Sequence, residues 1–348
     1  MSNKIKILHV MAGGDVGGAE NIFLEDVLAL QEHDMFEQAV LTRPAPERIK
    51  ALTQAGIITR TAGFSKWFKF PTKRALQKLT AEFQPHIIQY WMGRAGQYAI
   101  TGNHKNVAWY GGYYNRKKRF ALCSHHIVLT RDLYRHVVES GAQPDDVKII
   151  HTIANFPEQI DAQPRRELNT PDDAPVFLAL ARLHWKKGLD ILLKALVAVP
   201  EAYAWIAGDG PLKDELHTLA QDLGVADRVR FLGWRHDRER LLKSADFCAF
   251  PSRYEPFGTT MVDAWAMRVP LIAAASQGPA AYVVNGENGL LIPTDDVDAL
   301  IEAMRRLIND KELCAKIVAG GWDMYQQSFT KEAFWRDSLD FYKQVITS

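Results

Sequence analysis

The sequence predicts an α/β protein built from two successive parallel sheets, and two observations lead to this expectation. Short apolar runs alternate with segments of helical periodicity along most of the chain, as in parallel sheets whose strands are joined by crossover helices. The length of 348 residues is sufficient for two domains that each bury a core. With 47% hydrophobic and 24% charged residues, the composition excludes disordered and fibrous classes.

The first series of elements begins with an apolar run at 5–11, followed by helical periodicity at 19–31. A second helix is expected at 131–140. Further apolar runs predict strands at 38–42, 87–91, 107–109, 125–129 and 147–151.

The alternation stops at 155–175, where four prolines accompany Asp, Gln, Arg and Asn in a composition typical of linkers. It then resumes, so a second sheet is expected. The tail at 330–346 has apolar residues at helical spacing and predicts a helix with one buried face. The second series comprises strands at 176–180, 202–207, 229–232, 247–250 and 271–274, with helices at 189–197 and 213–223.

A glycine-rich turn at 13–20 follows the first strand and opens the first helix. Glycines allow close backbone approach to a ligand, and free N–H groups at a helix start favour an anion. The spacing is neither G-x-G-x-x-G nor that of a P-loop, so a flexible turn without a ligand is an equally good interpretation of this feature alone.

Cations follow the strand that ends at Ala181, namely Arg182, Lys186 and Lys187. A guanidinium fork and a mobile ammonium suit a diphosphate, although the cations taken alone also fit a solvated basic turn. Gly208 ends the next strand, where a small residue allows close approach of a ligand or of another chain segment.

The segment at 251–267 indicates a strand end, a loop and then a helix that begins near Gly258. Free N–H groups at 258–260 would form an anion site by geometry and dipole together. Glu255 and Asp263 are poorly placed as a glycosidase pair, since Asp263 lies one turn along the helix. Binding of hydroxyl groups is the better role, and either acid alone also fits an ordinary surface position.

Taken in order, these segments resemble the retaining glycosyltransferases of family 4, whose GT-B fold consists of two facing Rossmann-like domains. The resemblance covers most of the chain. It implies an acceptor-binding domain at 1–165, a nucleotide-sugar-binding domain at 166–328, and a C-terminal helix at 329–348 that returns to the N-terminal domain. The matching segments are Ala181-Arg182-Leu183 with Lys187-Gly188, 208–212, 228–233, Pro251-Ser252 with 255–258, 285–291, Gly17-Gly18-Ala19-Glu20, and Asn155 at the start of the linker.

The resemblance also implies roles for individual residues. Arg182 and Lys187 would hold the donor diphosphate and stabilise the leaving nucleotide, and Glu255 would bind the donor sugar. No metal and no cofactor are expected, because the two cations supply the charge that a divalent ion supplies elsewhere. The other expected donor-binding residues are Gly17, Gly18, Gly208, Phe257, Gly258, Thr259, Thr260 and, at the ribose hydroxyls, Asp263; those expected at the acceptor are Glu20, Arg94 and Tyr113.

Two positions depart from the family pattern. Asp263 stands where the family usually has Glu, and the region 109–114 contains no His where many members carry one. His104 and His125 are near in sequence but receive no catalytic role. Two alternatives therefore stay open: another GT-B activity, such as a nucleotide-sugar epimerase or a phosphorylase, and a non-catalytic protein that binds nucleotide sugars.

The N-terminal half is the more basic one, which suits contact with phosphates or an anionic membrane surface, or else reflects chance variation between two solvated surfaces. Residues 1–168 hold 22 Lys and Arg against 16 Asp and Glu, whereas 169–348 hold 20 against 25. Aromatic residues and cations are interleaved at 66–74 and 116–120, which suits an anionic bilayer and a glycolipid acceptor, or else core aromatics beside solvated cations. Nucleic-acid binding is not expected, since no recognition motif is present.

The family resemblance implies retaining transfer of a sugar from a UDP- or GDP-sugar to a saccharide or glycolipid. The segments at 89–95 and 111–114 look like those of a bacterial subset associated with cell-surface polysaccharide, which implies a role in lipopolysaccharide or surface polysaccharide synthesis. No apolar run approaches the length of a membrane span, no signal-peptide pattern precedes the first strand, and three cysteines lack disulfide or metal spacing. We therefore expect a cytoplasmic protein, peripheral on the inner face of the cytoplasmic membrane.

Overall fold

The computed structural model describes residues 4–15 and 17–348, which form thirteen strands and fourteen α-helices. The strands are β1 (Ile5–Met11), β2 (Phe36–Thr42), β3 (Ile58–Thr61), β4 (Ile87–Trp91), β5 (Lys105–Tyr110), β6 (His125–Val128), β7 (Val147–Ile149), β8 (Val176–Leu180), β9 (Tyr203–Ala207), β10 (Val229–Gly233), β11 (Phe247–Phe250), β12 (Leu271–Ala274) and β13 (Leu290–Ile292). The helices are α1 (Gly18–Gln31), α2 (Pro46–Gln54), α3 (Phe70–Phe83), α4 (Met92–Gly96), α5 (Arg116–Arg119), α6 (Arg131–Glu139), α7 (Leu189–Val197), α8 (Lys213–Asp222), α9 (Arg238–Ser244), α10 (Thr259–Ala266), α11 (Gln277–Tyr282), α12 (Val297–Asn309), α13 (Lys311–Ser328) and α14 (Lys331–Thr347).

The chain divides into two compact units, each built on its own sheet. The N-terminal unit comprises the chain up to Ile153 together with Ser328–Ser348, and the C-terminal unit comprises Ala154–Gln327. Each sheet is wholly parallel, in agreement with the α/β fold class that the alternating pattern predicts.

The N-terminal sheet has the strand order β3-β2-β1-β4-β5-β6-β7. Its central strand β4 is buried along its whole length, as expected for a strand covered by helices on both faces. Edge strand β3 is mostly exposed and polar, with the sequence Ile-Thr-Arg-Thr, and sequence patterning therefore missed it.

Helix α14 belongs to the N-terminal unit, which confirms the expected return of the C-terminal helix. The Trp335 indole donates to the carbonyl of Ala29 at 2.7 Å, and the Tyr342 hydroxyl donates to Gln89 Oε1 at 2.6 Å. Tyr342 is fully buried, so the end of the chain contributes to the core of this unit.

The C-terminal sheet has the strand order β10-β9-β8-β11-β12-β13. Helices α7 and α12 pack together and contribute leucines to one continuous apolar core. The short strand β13 follows a glycine-rich turn and was not predicted.

The proline-rich stretch, predicted as a linker, packs into the C-terminal unit. The Arg165 guanidinium donates to the carbonyl of Ser244 and pairs with Asp246 at 2.8 Å. Thr170 is buried, and its hydroxyl accepts a hydrogen bond from the Trp205 indole at 3.0 Å. Residues 154–165, which sequence analysis assigns to the N-terminal domain, therefore belong to the C-terminal unit, because side-chain contacts override a composition that suggests loop structure.

Candidate active site

The candidate active site lies at the carboxyl edge of the C-terminal sheet, where the strand order reverses. Strands β8 and β11 are neighbours there, although 66 residues lie between Leu180, which ends the first, and Phe247, which begins the second. In open parallel sheets the loops that follow two such strands border a crevice that binds ligands. These loops are 181–188 and 251–258, the segments that carry the predicted Arg182, Lys187 and Glu255.

The loop after β8 presents the two predicted cations in different ways. Arg182 is exposed, and its side chain makes no hydrogen bond or ion pair with any residue in the described part of the chain. Lys187 closes a short 3-10 turn, Trp185–Lys187, and is half-buried. Gly188 follows in a left-handed conformation, φ 63°, and a Cβ there would lie 2.1 Å from the Pro251 carbonyl oxygen, so only glycine lets the two loops approach.

Lys187 and Glu255 form an ion pair across the crevice. Their side chains are 25% and 15% exposed, so the pair is shielded from water yet reachable by a ligand. The sequence predicts both residues for one site, and the structure brings them into contact. A cation expected at the phosphates and a carboxylate expected at the sugar hydroxyls thus lie side by side.

Arg253 joins the two loops and was not singled out by the sequence. Its guanidinium binds both carboxylate oxygens of Asp190, at 2.7 and 2.8 Å, donates to the carbonyl of Trp185 at 2.8 Å, and also pairs with Asp295. Burial acts to raise the pKa of Asp190, but the hydrogen bonds and charges of Arg253 and Lys194 hold that pKa below its ordinary value. Arg253 thereby fixes the loop that carries Glu255 against the start of α7.

Helix α10 begins at the same edge, one residue later than predicted. Gly258 precedes it with φ 100°, a conformation that leaves the N–H groups of Thr259 and Thr260 at the carboxyl edge of the sheet. The Thr260 hydroxyl donates to the carbonyl of Leu180 at 3.1 Å, so its side chain ties α10 to β8. The Phe257 ring is buried against Tyr282. The contact with the nucleotide sugar that is predicted for this residue therefore falls to its backbone groups.

Asp263 is buried on α10 and pairs with Arg238 of α9 at 3.2 Å. Burial raises the pKa of Asp263, and the Arg238 guanidinium acts in the opposite direction. The same guanidinium lies 5.1 Å from the centre of the Phe156 ring. Sequence analysis missed Arg238 because it lies 25 positions from Asp263 and no motif links them.

Gly208 lies where β9 meets the loop after β8. Its N–H donates to the Gly233 carbonyl at 2.7 Å, and a Cβ at this position would lie 2.0 Å from the Ala181 carbonyl oxygen. The close approach predicted for this glycine is thus to the neighbouring chain segment. Its tight packing sets the path of the backbone that leads to Arg182.

In the N-terminal unit, the glycine-rich turn is closed by Glu20. The Glu20 carboxylate accepts from the Gly14 N–H at 2.8 Å, and a Cβ on Gly17, the residue before α1, would lie 2.4 Å from it. Gly18 begins α1, and Val16 of this turn lies outside the described residues. Glu20, predicted at the acceptor, therefore holds the turn in place.

Arg48 supports the same turn from α2, and sequence analysis missed it. It is buried, and its guanidinium donates to the Gly14 carbonyl, to the Asp15 carbonyl at 3.2 Å and to the Thr42 hydroxyl at 3.0 Å. Burial lowers the pKa of Arg48 below its ordinary value, while Glu20 and Asp15 oppose that shift.

The three residues predicted for the acceptor follow three neighbouring strands of the N-terminal sheet. Glu20 follows β1, Arg94 follows β4 and Tyr113 follows β5, so all three lie at one carboxyl edge. Arg94 is exposed on α4, whereas the Tyr113 hydroxyl donates to Asp132.

No group of three or more His, Cys, Asp or Glu side chains within 4–15 and 17–348 is arranged to hold a metal ion. No helix in that part of the chain combines the length and apolar character needed to cross a bilayer.

Comparison with known proteins identifies the family. The family model described as "Glycosyl transferases group 1" matches residues 161–322. The lipopolysaccharide core biosynthesis glycosyltransferase LpsE of Rhizobium meliloti (strain 1021) is 30% identical over 354 residues, covering 99% of both chains. LpsD of the same organism, with the same description, is 30% identical over 350 residues, covering 98% of this chain and 99% of its own.

A solved structure agrees at the level of the fold. HepE from Anabaena, crystallised with UDP and glucose, matches with a TM-score of 0.83 at 21% identity, over 98% of this chain and 100% of that chain. Two Rossmann-like α/β units on parallel sheets are the GT-B architecture, so the predicted fold is confirmed. The chain belongs to the glycosyl transferases group 1 family, as the resemblance of its motifs indicates.

Proposed function

We propose that this protein is a retaining glycosyltransferase that moves a hexosyl group from a UDP- or GDP-sugar to a saccharide or glycolipid acceptor in lipopolysaccharide core synthesis. The observation that carries the proposal is the Lys187–Glu255 pair, at the point where the strand order of the C-terminal sheet reverses. The lipopolysaccharide core assignment comes from the relatives LpsE and LpsD, and a UDP-linked donor is favoured by the UDP bound to HepE.

The donor would be bound by charge and by backbone dipoles together. Arg182 has no counter-ion among the described residues, so its guanidinium is available to a diphosphate. The N–H groups of Thr259 and Thr260 supply further donors at a helix start. Asp263, oriented by Arg238, would accept from the ribose hydroxyls.

Donor binding would exchange the partners of Lys187. When the diphosphate arrives, the Lys187 ammonium shifts towards the phosphate oxygens and releases the Glu255 carboxylate to accept from sugar hydroxyls. As the bond between the anomeric carbon and the phosphate oxygen breaks, Arg182 and Lys187 stabilise the charge on the leaving diphosphate. The leaving phosphate oxygen takes the proton of the acceptor hydroxyl, which attacks on the same face, so the anomeric configuration is kept and no protein nucleophile is needed.

We further propose that the reaction requires no metal and no cofactor, because these two cations supply the neutralising charge. The acceptor would lie at the carboxyl edge of the N-terminal sheet, near Glu20, Arg94 and Tyr113. A glycolipid acceptor would place the protein in the cytoplasm, at the inner face of the cytoplasmic membrane.

A transfer assay with a stereochemical readout tests this proposal. The protein is incubated with UDP-glucose, UDP-galactose or GDP-mannose and core-truncated lipopolysaccharide, with and without EDTA. Products are identified by mass spectrometry and by NMR of the anomeric proton. We expect one donor to give a product with the donor's anomeric configuration, at a rate that EDTA does not change.

Glu255→Gln should lower kcat/KM at least about 100-fold, whereas Glu201→Gln, the same change in an exposed residue just before β9, should leave it unchanged. An inverted product, or activity lost in EDTA and restored by Mg²⁺, would contradict the proposed mechanism. Epimerisation, dependence on inorganic phosphate, or donor binding without turnover would favour the alternative activities.

A further inference from the structure

The segment between β3 and α3, together with the first residue of α3, exposes large aromatic side chains to solvent. Trp67, Phe68 and Phe70 are 92%, 76% and 72% exposed, more than any other large apolar residue in the described part of the chain. Consecutive exposed aromatics of this kind are rare on soluble surfaces unless they meet a partner. We call residues 64–70 the aromatic loop.

The backbone of the aromatic loop is held in place, although its aromatic side chains are exposed. Phe64 is buried, and its N–H donates to the Thr72 hydroxyl at 3.1 Å. The Tyr98 hydroxyl donates to the Ser65 carbonyl at 2.5 Å, and its ring meets that of Phe64 edge-on at 5.1 Å. Since these contacts fix both the start of the loop and the start of α3, the exposed rings extend from an anchored base.

The charge around the aromatic loop has one sign. Residues 63–81 contain five cations and no acidic residue. The next acid, Glu82, lies 3.9 Å from Lys78, the last of the five. The cations are Lys66, Lys69, Lys73, Arg74 and Lys78.

A second basic segment lies at the same edge of the sheet. Helix α5 has the sequence Arg-Lys-Lys-Arg and follows β5, as the aromatic loop follows β3. Arg119 packs its stem near Gly93 of α4, and α4 leads directly to Tyr98, which anchors the aromatic loop. The two basic segments therefore border the same part of the N-terminal unit.

We propose that the aromatic loop docks the N-terminal unit on an anionic lipid bilayer. Trp67, Phe68 and Phe70 enter the interfacial region, and the flanking cations contact lipid phosphates. Exposed aromatic rings on an anchored base, flanked in sequence by cations and by no acid, suit that region, because aromatic rings sit at the level of the lipid headgroups. This docking surface rests on the proposed function, since a glycolipid acceptor lies in a bilayer.

Vesicle sedimentation of the full chain, without donor or acceptor, tests the docking surface. Vesicles of phosphatidylcholine are compared with vesicles that also contain phosphatidylglycerol. We expect binding to the anionic vesicles that weakens as salt is raised. Trp67→Ser/Phe68→Ser should lower the partition coefficient at least about tenfold, because the aromatic anchors are lost while the charge is kept.

Charge is tested by a matched pair of double variants. Lys66→Gln/Lys73→Gln should lower partitioning at least about tenfold, whereas Lys311→Gln/Lys316→Gln, which removes the same charge from exposed positions on α13, should change it less than about twofold. Equal effects of the two double variants would contradict docking through this loop.

Quenching by brominated phosphatidylcholine, in vesicles that also contain phosphatidylglycerol, reports insertion itself. Wild type should be quenched more than Trp67→Phe, because only the former carries an indole in the bilayer. Equal quenching, or no binding of wild type to anionic vesicles, would overturn the docking proposal. Nucleotide affinity is measured on the same protein samples without vesicles and reports on the donor site alone. A failure of docking can therefore be told apart from a failure of the proposed glycosyl transfer.

Discussion

Replacing Arg253 by lysine tests whether one guanidinium holds the two loops of the candidate site together. In the wild type it binds both oxygens of Asp190, the carbonyl of Trp185 and the carboxylate of Asp295. Lysine keeps the charge but carries a single nitrogen, so it cannot span these partners at once. The change therefore removes bridging geometry while the charge balance of the site stays the same.

The expected loss follows from the number of bonds and their exposure. Arg253 and Asp190 are 18% and 26% exposed, so each charge-assisted bond is screened in part. We expect two to three bonds to be lost at about 1 kcal/mol each, which lowers the free energy of unfolding by about 2–3 kcal/mol. Because Glu255 and Lys187 lie on the two loops, nucleoside diphosphate affinity should also fall about 3–10-fold.

Arg165→Lys is the matched control. Arg165 is also partly buried and also binds a carboxylate and carbonyl groups, but it lies at the opposite, amino edge of the sheet, before β8. Urea unfolding should show a similar loss of stability in both variants, whereas calorimetry should show weaker nucleotide binding only in Arg253→Lys. If both variants bound nucleotide like the wild type, the bridging role of Arg253 would be refuted.

Three further changes test other parts of the structure. Gly208→Ala places a Cβ 2.0 Å from the Ala181 carbonyl oxygen at φ 154°, so urea unfolding should show a loss of about 2–4 kcal/mol, and a loss below about 1 kcal/mol would contradict this close approach of the two segments. Asp190→Asn should lower the free energy of unfolding by about 1–2 kcal/mol at neutral pH. Since the folded pKa of Asp190 lies below its ordinary value of 3.8, that stabilisation is present above the ordinary pKa and is lost as pH falls through the folded one. The free energies of unfolding of this variant and of the wild type should thus converge as the solution is made acidic. A difference that stays constant with pH would refute the stabilising role of the Asp190 carboxylate. Arg48→Met should lower the free energy of unfolding by about 1–2 kcal/mol, because the buried Thr42 hydroxyl and the Gly14 carbonyl lose their donor, and urea stability equal to wild type would show that Arg48 does not support the turn.

The parallel strands could be predicted because strands covered on both faces consist of short apolar runs. β1, β4, β8 and β11 are of this kind, and the sequence places each within a residue or two. β3 could not be predicted in this way, since an exposed edge strand carries polar residues that periodicity does not separate from a loop.

The loops of the candidate site could be predicted, but not the contacts that hold them. Motif resemblance points to Lys187 and Glu255, yet the ion pair joins residues 68 positions apart and depends on the strand order of the sheet. Arg238 and Arg48 belong to no motif in the sequence, and their importance follows only from the ion pair of Arg238 with Asp263 and from the hydrogen bonds of Arg48 to the glycine-rich turn.

The affinity of Arg182→Ala for UDP and GDP, measured by calorimetry, tests the central claim most directly. We expect one of the two nucleotides to bind the wild type. The affinity for that nucleotide should fall at least about tenfold in Arg182→Ala. It should stay near the wild-type value in Lys186→Ala, because the Lys186 ammonium of the wild type lies over the Tyr254 ring at 4.4 Å. If neither nucleotide bound the wild type, or if Arg182→Ala bound as tightly as wild type, the donor site would not be where we place it.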